Sequence, residues 1–120
     1  YWDYPTASQS VSPSDANYAG AVGHTSSVGS YGHAPSPYGT FDQGGNVWEW
    51  NETLIFGSRR GVRGGSFGSV EEHLHAAFRS NLDVPSAAYN GVGFRVALVP
   101  EPATLSLLAL GGLLVARRRR

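Results

Sequence analysis

Residues 38–53 read YGTFDQGGNVWEWNET. Asp42, Asn46 and Glu49 set oxygen-bearing side chains around Gly44 and Gly45, whose missing Cβ lets the backbone bend where other residues cannot. Trp48 and Trp50 flank Glu49, so an extended segment points both indoles one way and the carboxylate the other. Such a pattern can hold a small polar group or a cation beside an aromatic anchor. Paired indoles serve more often as core anchors than as ligand platforms.

Other residues that could carry chemistry are spread more thinly. The histidines are His24, His33, His73 and His75. His73 and His75 share a face only if their segment is a strand, and a metal would still need a third ligand and a second shell. Arg79 and Arg95 flank apolar residues. They can pair with carboxylates such as Asp83 or Glu49, or they can clamp a ligand carboxylate bidentately. The chain has no cysteine, which excludes disulfides, zinc–thiolate sites and thiol catalysis within it. No Ser-His-Asp arrangement can be argued from spacing.

The formal net charge is zero, but the charges are segregated. Residues 1–100 carry five arginines (59, 60, 63, 79 and 95) against eight acids, a balance of −3, and the other four arginines are residues 117–120. A weakly acidic body argues against nucleic acid as a partner, which requires a basic face. A chain of 120 residues holds one small domain, and opening on Tyr1 points to the C-terminal part of something longer.

The elements that must position these residues are short. Residues 1–37 are rich in Ser, Gly and Pro without helical period, and the aromatics spaced through them predict an ordered, packed loop surface. The run 54–56 is apolar and closed by Gly57, and further strands are predicted at 61–67 and 92–99. Residues 71–79, EEHLHAAFR, fit a helical stripe through Leu74, Ala77 and Phe78 or a strand face of Leu74, Ala76 and Phe78.

Residues 99–120 read VPEPATLSLLALGGLLVARRRR. The stretch 103–116 is apolar and ends abruptly at four arginines. As a helix it would span roughly 21 Å, short of a hydrocarbon core of ~30 Å, with the arginines suited to a cytoplasmic interface. The order Pro100-Glu101-Pro102, short apolar helix and arginine cluster resembles the PEP-CTERM sorting signal of Gram-negative bacteria. That resemblance implies processing by an exosortase at the inner membrane, so the tail is an address and not part of the fold.

The body carries a second resemblance. YGTFDQGGNVWEW, RGVRGGSF, AAFRS and GVGFRVA occur in the order and spacing of the formylglycine-generating enzyme, or sulfatase-modifying factor, family. The match spans residues 1–98 and implies an α+β, C-type-lectin-like fold, loop-rich with short strands, of which this chain would be the C-terminal portion. It also implies a structural calcium on the side chains of Asp42 and Glu49 and the carbonyls of Gly45 and Val47. A second calcium site would begin at Asn17 and Tyr18, with its completing acidic loop shortened here. Ser66, Arg79 and Arg95 fall at cleft-lining positions.

The family's oxidase chemistry rests on two cysteines, whose positions here are Ser69 and Leu74. A serine hydroxyl cannot replace a soft thiolate for copper. The expectation is therefore an exported, surface-directed, calcium-stabilised binding or scaffold module, with extracellular polysaccharide as a candidate partner. The alternative is an iron-dependent oxidoreductase of the same fold whose histidine ligands lie N-terminal to this chain.

Overall fold

A computed structural model describes residues 1–57, 59–81, 86 and 88–97. The tail is outside them, so the expected sorting motif at Pro100, Glu101 and Pro102, the helix at 103–116 and the arginine cluster at 117–120 lie outside the described residues. Among the described residues no helix is long and apolar enough to cross a membrane.

The centre is a small mixed sheet of strand order β3-β2-β1-β4. Strand β1, Trp48–Phe56, is rich in aromatic and β-branched residues, the side chains that suit a pleated surface. It turns back at Gly57 (φ +57°) into β2, Arg59–Arg63. These two are antiparallel, with Glu49 opposite Arg63 and Trp50 opposite Val62. Glu49 and Arg63 therefore share one face of the sheet, and Trp50 and fully buried Val62 the other. Register shifts between Trp50 and Phe56 bulge the far end of β1. The two-residue β3, Ser80–Asn81, pairs with β2, and β4, Val92–Gly93, runs parallel to β1.

Three strand and helix expectations are corrected. The strand expected at 61–67 is Arg59–Arg63, because Gly64 and Gly65 take φ of +89° and +73° and leave the ladder. Of the strand expected at 92–99, the described residues pair only over Val92–Gly93; after them Arg95 meets another partner. The ambiguous segment 71–79 is neither stripe: Glu71–Leu74 forms one 3-10 turn, and His75 leaves helical geometry at ψ 135°. Among the described residues this turn is the helical content, so the expected α+β character reduces to a mixed sheet with almost no helix.

The N-terminal loops are ordered, as their spaced aromatics predict. Tyr4, Val11, Ala16, Tyr18 and Leu74 form a buried cluster. The Tyr18 hydroxyl donates to the Val11 carbonyl at 3.0 Å and that of Tyr4 to Glu71 Oε1 at 2.8 Å, so each aromatic buries its ring and still satisfies its polar end. Backbone bonds replace secondary structure elsewhere: Ala19 N to Ser69 O, Gly20 N to Phe67 O and Asn46 N to Asn17 O hold the loops against one another.

Candidate functional site

The Asp42–Glu49 loop is held by unusual backbone and by one cation. Asp42, Gly45 and Asn46 have φ of +54°, +72° and +65°. Gly45 also lies so close to Asn17 that a Cβ there would run into the Asn17 backbone. The amide of Asn46 accepts from Ser26 N at 2.8 Å and donates to Ser26 O at 3.2 Å, imitating a strand pair with one side chain. Arg95 donates to Glu49 Oε1 at 2.6 Å, to Phe41 O at 2.7 Å and to Asp42 O. It thereby ties the segment after β4 to the loop.

Asp42, Gly45, Val47 and Glu49, four residues expected to gather around a cation, line one cavity of about 230 Å³ together with Arg95. Asp42 commits Oδ2 to the Gly29 amide at 2.7 Å and Glu49 commits Oε1 to Arg95, leaving one oxygen on each. An all-oxygen donor set of two carboxylates and two carbonyls fits a hard cation, with water completing the six to eight ligands such an ion takes. Arg95 already supplies part of the positive charge. The second expected site has a different signature: Asn17 is buried, and its Oδ1 has no hydrogen-bond partner. Its Nδ2 meanwhile reaches His24 O, Ser26 Oγ and Asn46 Oδ1. The Tyr18 carbonyl accepts from Ala21 N at 3.1 Å.

Burial pushes the Glu49 carboxyl above its ordinary 4.5, only partly offset by Arg95 and reinforced by Asp42. A raised folded-state value means the contribution to stability is full below 4.5 and is lost as pH rises through the raised value. Acidification from pH 7 should therefore stabilise the wild type relative to Glu49→Gln, which lacks the titration. Melting both proteins between pH 7 and 4.5 tests this, and a wild type that loses ground to the variant on acidification refutes it.

The two positions where thiols were expected are neighbours. A Cβ on Gly65 would lie 3.3 Å from Ser69 Cβ and 3.4 Å from Leu74 Cγ. Both residues are buried. The Ser69 hydroxyl accepts from Ser66 N at 2.8 Å and lies 3.3 Å from Ser66 Oγ, while Leu74 belongs to the core cluster.

The other expected site residues are scattered. Ser66 lies against Gly91, Arg95 is in the loop just described, and Arg79 is at the far edge of β2. Arg95 pairs with Glu49, one of the carboxylates named for it, whereas Arg79 donates to Ala77 O at 3.1 Å. Asp83 is outside the described residues. The strand that would set His73 and His75 on one face does not form, and the two have separate surroundings: His73 sits 5.5 Å from Trp48 and 4.7 Å from Phe78, while His75 faces Tyr4 and lies 3.6 Å from Asp3. His24 bonds Thr25 O, and His33 lies 3.8 Å from Asp15. Among the described residues no three His, Asp or Glu side chains converge as a metal site.

Sequence reasoning missed a cleft. It has a volume of about 440 Å³, and its lining includes Tyr38, Gln43, Trp50, Asn51, Arg63 and Phe78. A second hollow of about 460 Å³, bordered by Trp2 and Tyr4, shares Pro5, Tyr38, Gln43 and Ala76 with it. This size and a mainly apolar lining with a few converging polar groups are those of small-ligand sites. No local signal announces it, because its walls come from four separate parts of the chain, around Pro5, residues 38–51, residues 63–64 and residues 74–78.

Comparison with known proteins places these features. Residues 3–99 match the family model described as the Sulfatase-modifying factor enzyme 1-like domain, and residues 98–120 match the PEP-CTERM protein-sorting motif. The C-terminal placement expected for the domain is corrected, since the match takes up the N-terminal part of this chain, ahead of the tail. Among solved structures the chain is similar to Treponema denticola variable protein 1, with 27% identity and a TM-score of 0.58. The likeness covers 68% of this chain and 34% of that one, so the chain spans about a third of that protein's length. No curated protein matches.

Proposed function

The chain belongs to the family of sulfatase-modifying factor enzyme 1-like domains, and from that premise we propose that it is a binding module displayed at the cell envelope, not a thiol oxidase. The sorting motif marks an exported protein, directed to the envelope of a Gram-negative bacterium and processed by exosortase. The observation that carries the binding reading is the pair Ser69 and Leu74, which fills the place of two thiols with a hydroxyl turned into its own loop and a core leucine. A hydroxyl and a hydrocarbon offer copper nothing. What remains open to a ligand is the aromatic cleft, and an extracellular polysaccharide suits both the cleft and the address. The test is to pass the purified full chain over immobilised acidic and neutral polysaccharides and, separately, to incubate it with copper and a cysteine-containing peptide. Saturable retention without peptide oxidation is expected; oxidation of the peptide, or no retention on any polymer, overturns the reading.

Calcium completes the proposal as a structural ion. Asp42 and Glu49 would hold it through side chains and Gly45 and Val47 through carbonyls, and it would neutralise two carboxylates that now repel each other. The orphaned Asn17 Oδ1, beside Tyr18, supports a second, weaker position. Calcium added to chelator-treated protein should raise the melting temperature, since binding at a hundredfold excess over Kd contributes about 2.7 kcal/mol. Asp42→Asn should remove most of the rise, leaving what the weaker second position adds, and magnesium should not reproduce it. An unchanged melting temperature removes the ion from this loop.

A further inference from the structure

Arg63 and Arg79 stand side by side at the β2–β3 pairing, and among the described residues no carboxylate joins them. Arg63 donates to Ala76 O at 2.9 Å and Arg79 to Ala77 O at 3.1 Å, so carbonyls of consecutive residues hold the two guanidinium groups in one place. Both border a niche of about 40 Å³ on the β2 edge, and Arg63 also lines the aromatic cleft. Among the described residues neither makes an ion pair. Glu49, directly opposite Arg63 in register, is committed to Arg95. Burial, with Arg79 adding to it, lowers the pKa of half-buried Arg63. Among the described residues no anion relieves these two like charges, and guanidinium groups receive carboxylates through paired, charge-assisted hydrogen bonds.

The cleft beside them offers the complement of a sugar ring. Tyr38 is 91% exposed and Phe78 half-buried, giving ring surface for an apolar C–H face. Asn51 uses Oδ1 to accept from Thr53 N at 2.9 Å and keeps its Nδ2 for a hydroxyl, and Gln43 adds a second amide. We propose that the cleft binds a carboxylate-bearing sugar, a uronic acid unit of a polysaccharide, with its ring against Tyr38 and Phe78 and its carboxylate between Arg63 and Arg79. An acidic peptide would satisfy the arginines but leave the ring surface and the paired amides without a role. This rests on the binding-module reading and narrows it to one ligand class.

The test is calorimetric titration of the full chain, tail included and held in detergent, with oligogalacturonate, with its neutral methyl ester, and with polyglutamate. Oligogalacturonate should bind, and the ester at least about tenfold more weakly, as expected when a charge-assisted contact is lost. Arg79→Gln, exposed and remote from the core, should weaken binding of the acid by about tenfold and leave the ester unaffected, with Arg63→Gln behaving alike. Tyr38→Ala should weaken both. If the ester binds as tightly as the acid, the arginine pair is not the determinant, and the inference falls while polysaccharide binding stands. Polyglutamate binding as tightly as the sugar, with Tyr38→Ala silent, replaces the uronate with an acidic peptide. Binding of none of the three defeats both the inference and the broader reading.

Discussion

Gly45→Ala is expected to be the most damaging single-methyl change in the ion-pair loop, costing roughly 3–5 kcal/mol against a total of about 5–15 for a domain of this kind. Two effects add. The left-handed conformation at φ +72° costs an alanine about 1–2 kcal/mol. The new Cβ would also meet the Asn17 backbone, with the carbonyl carbon at 2.9 Å and the amide nitrogen at 3.1 Å, and backbone cannot rotate out of the way as a side chain can. Relief requires the two loops to part. That would break the bond from Asn46 N to Asn17 O at 2.7 Å and weaken the bond from Gly45 N to Gly64 O at 2.7 Å. The comparison that isolates the second effect is Gly20→Ala, at φ +69° with nothing within 4 Å of its Cβ. It should cost only the ~1–2 kcal/mol of backbone strain. Gly45→Ala should therefore melt below Gly20→Ala by about 8–16 °C for a difference near 2 kcal/mol, at about 4–8 °C per kcal/mol for a small domain. Equal melting temperatures would mean that the Gly45–Asn17 approach is not tight in solution.

The same loop shows how far sequence reasoning carries. Gly44 and Gly45 beside Asp42 and Glu49 point to a sharply bent loop; Gly45 does take φ of +72°, and Asp42, Gly45 and Glu49 line one cavity. The pairing of Glu49 with Arg95, named as one reading of that arginine, also holds. What the pattern could not supply was range. Segment 71–79 carried two periodicities at once, and tertiary packing of Leu74 decided for neither. Of the strand read at 92–99, the described residues after Gly93 leave the ladder, where Arg95 meets Glu49 and two carbonyls. The Arg63–Arg79 pair was invisible because the two residues meet only when β2 pairs with β3, sixteen positions on. The cleft depends on Tyr38, Arg63 and Phe78 in the same way.

Leu74→Ala carries the second large effect, and it bears on the cleft as much as on stability. Leu74 is 1% exposed, belongs to the cluster with Tyr4, Val11, Ala16 and Tyr18, and is among the largest fully buried side chains. Truncating such a residue costs about 2–5 kcal/mol, with the upper part of the range where neighbours cannot collapse into the space. Collapse is poor here, because two of the neighbours are Gly44 and Gly65, which have no side chains to move inward. The variant should lose much of its cooperative unfolding transition, and binding in the cleft should weaken too, since Leu74 forms part of its wall. A variant that melts within a degree or two of wild type would show that the leucine is not a core residue in solution. The packing is tight on the other side of Leu74 too: a Cβ on Gly65 would meet both Leu74 and Ser69, so a bulkier residue at 69 or 74 must displace the loop around Gly65 before it fits.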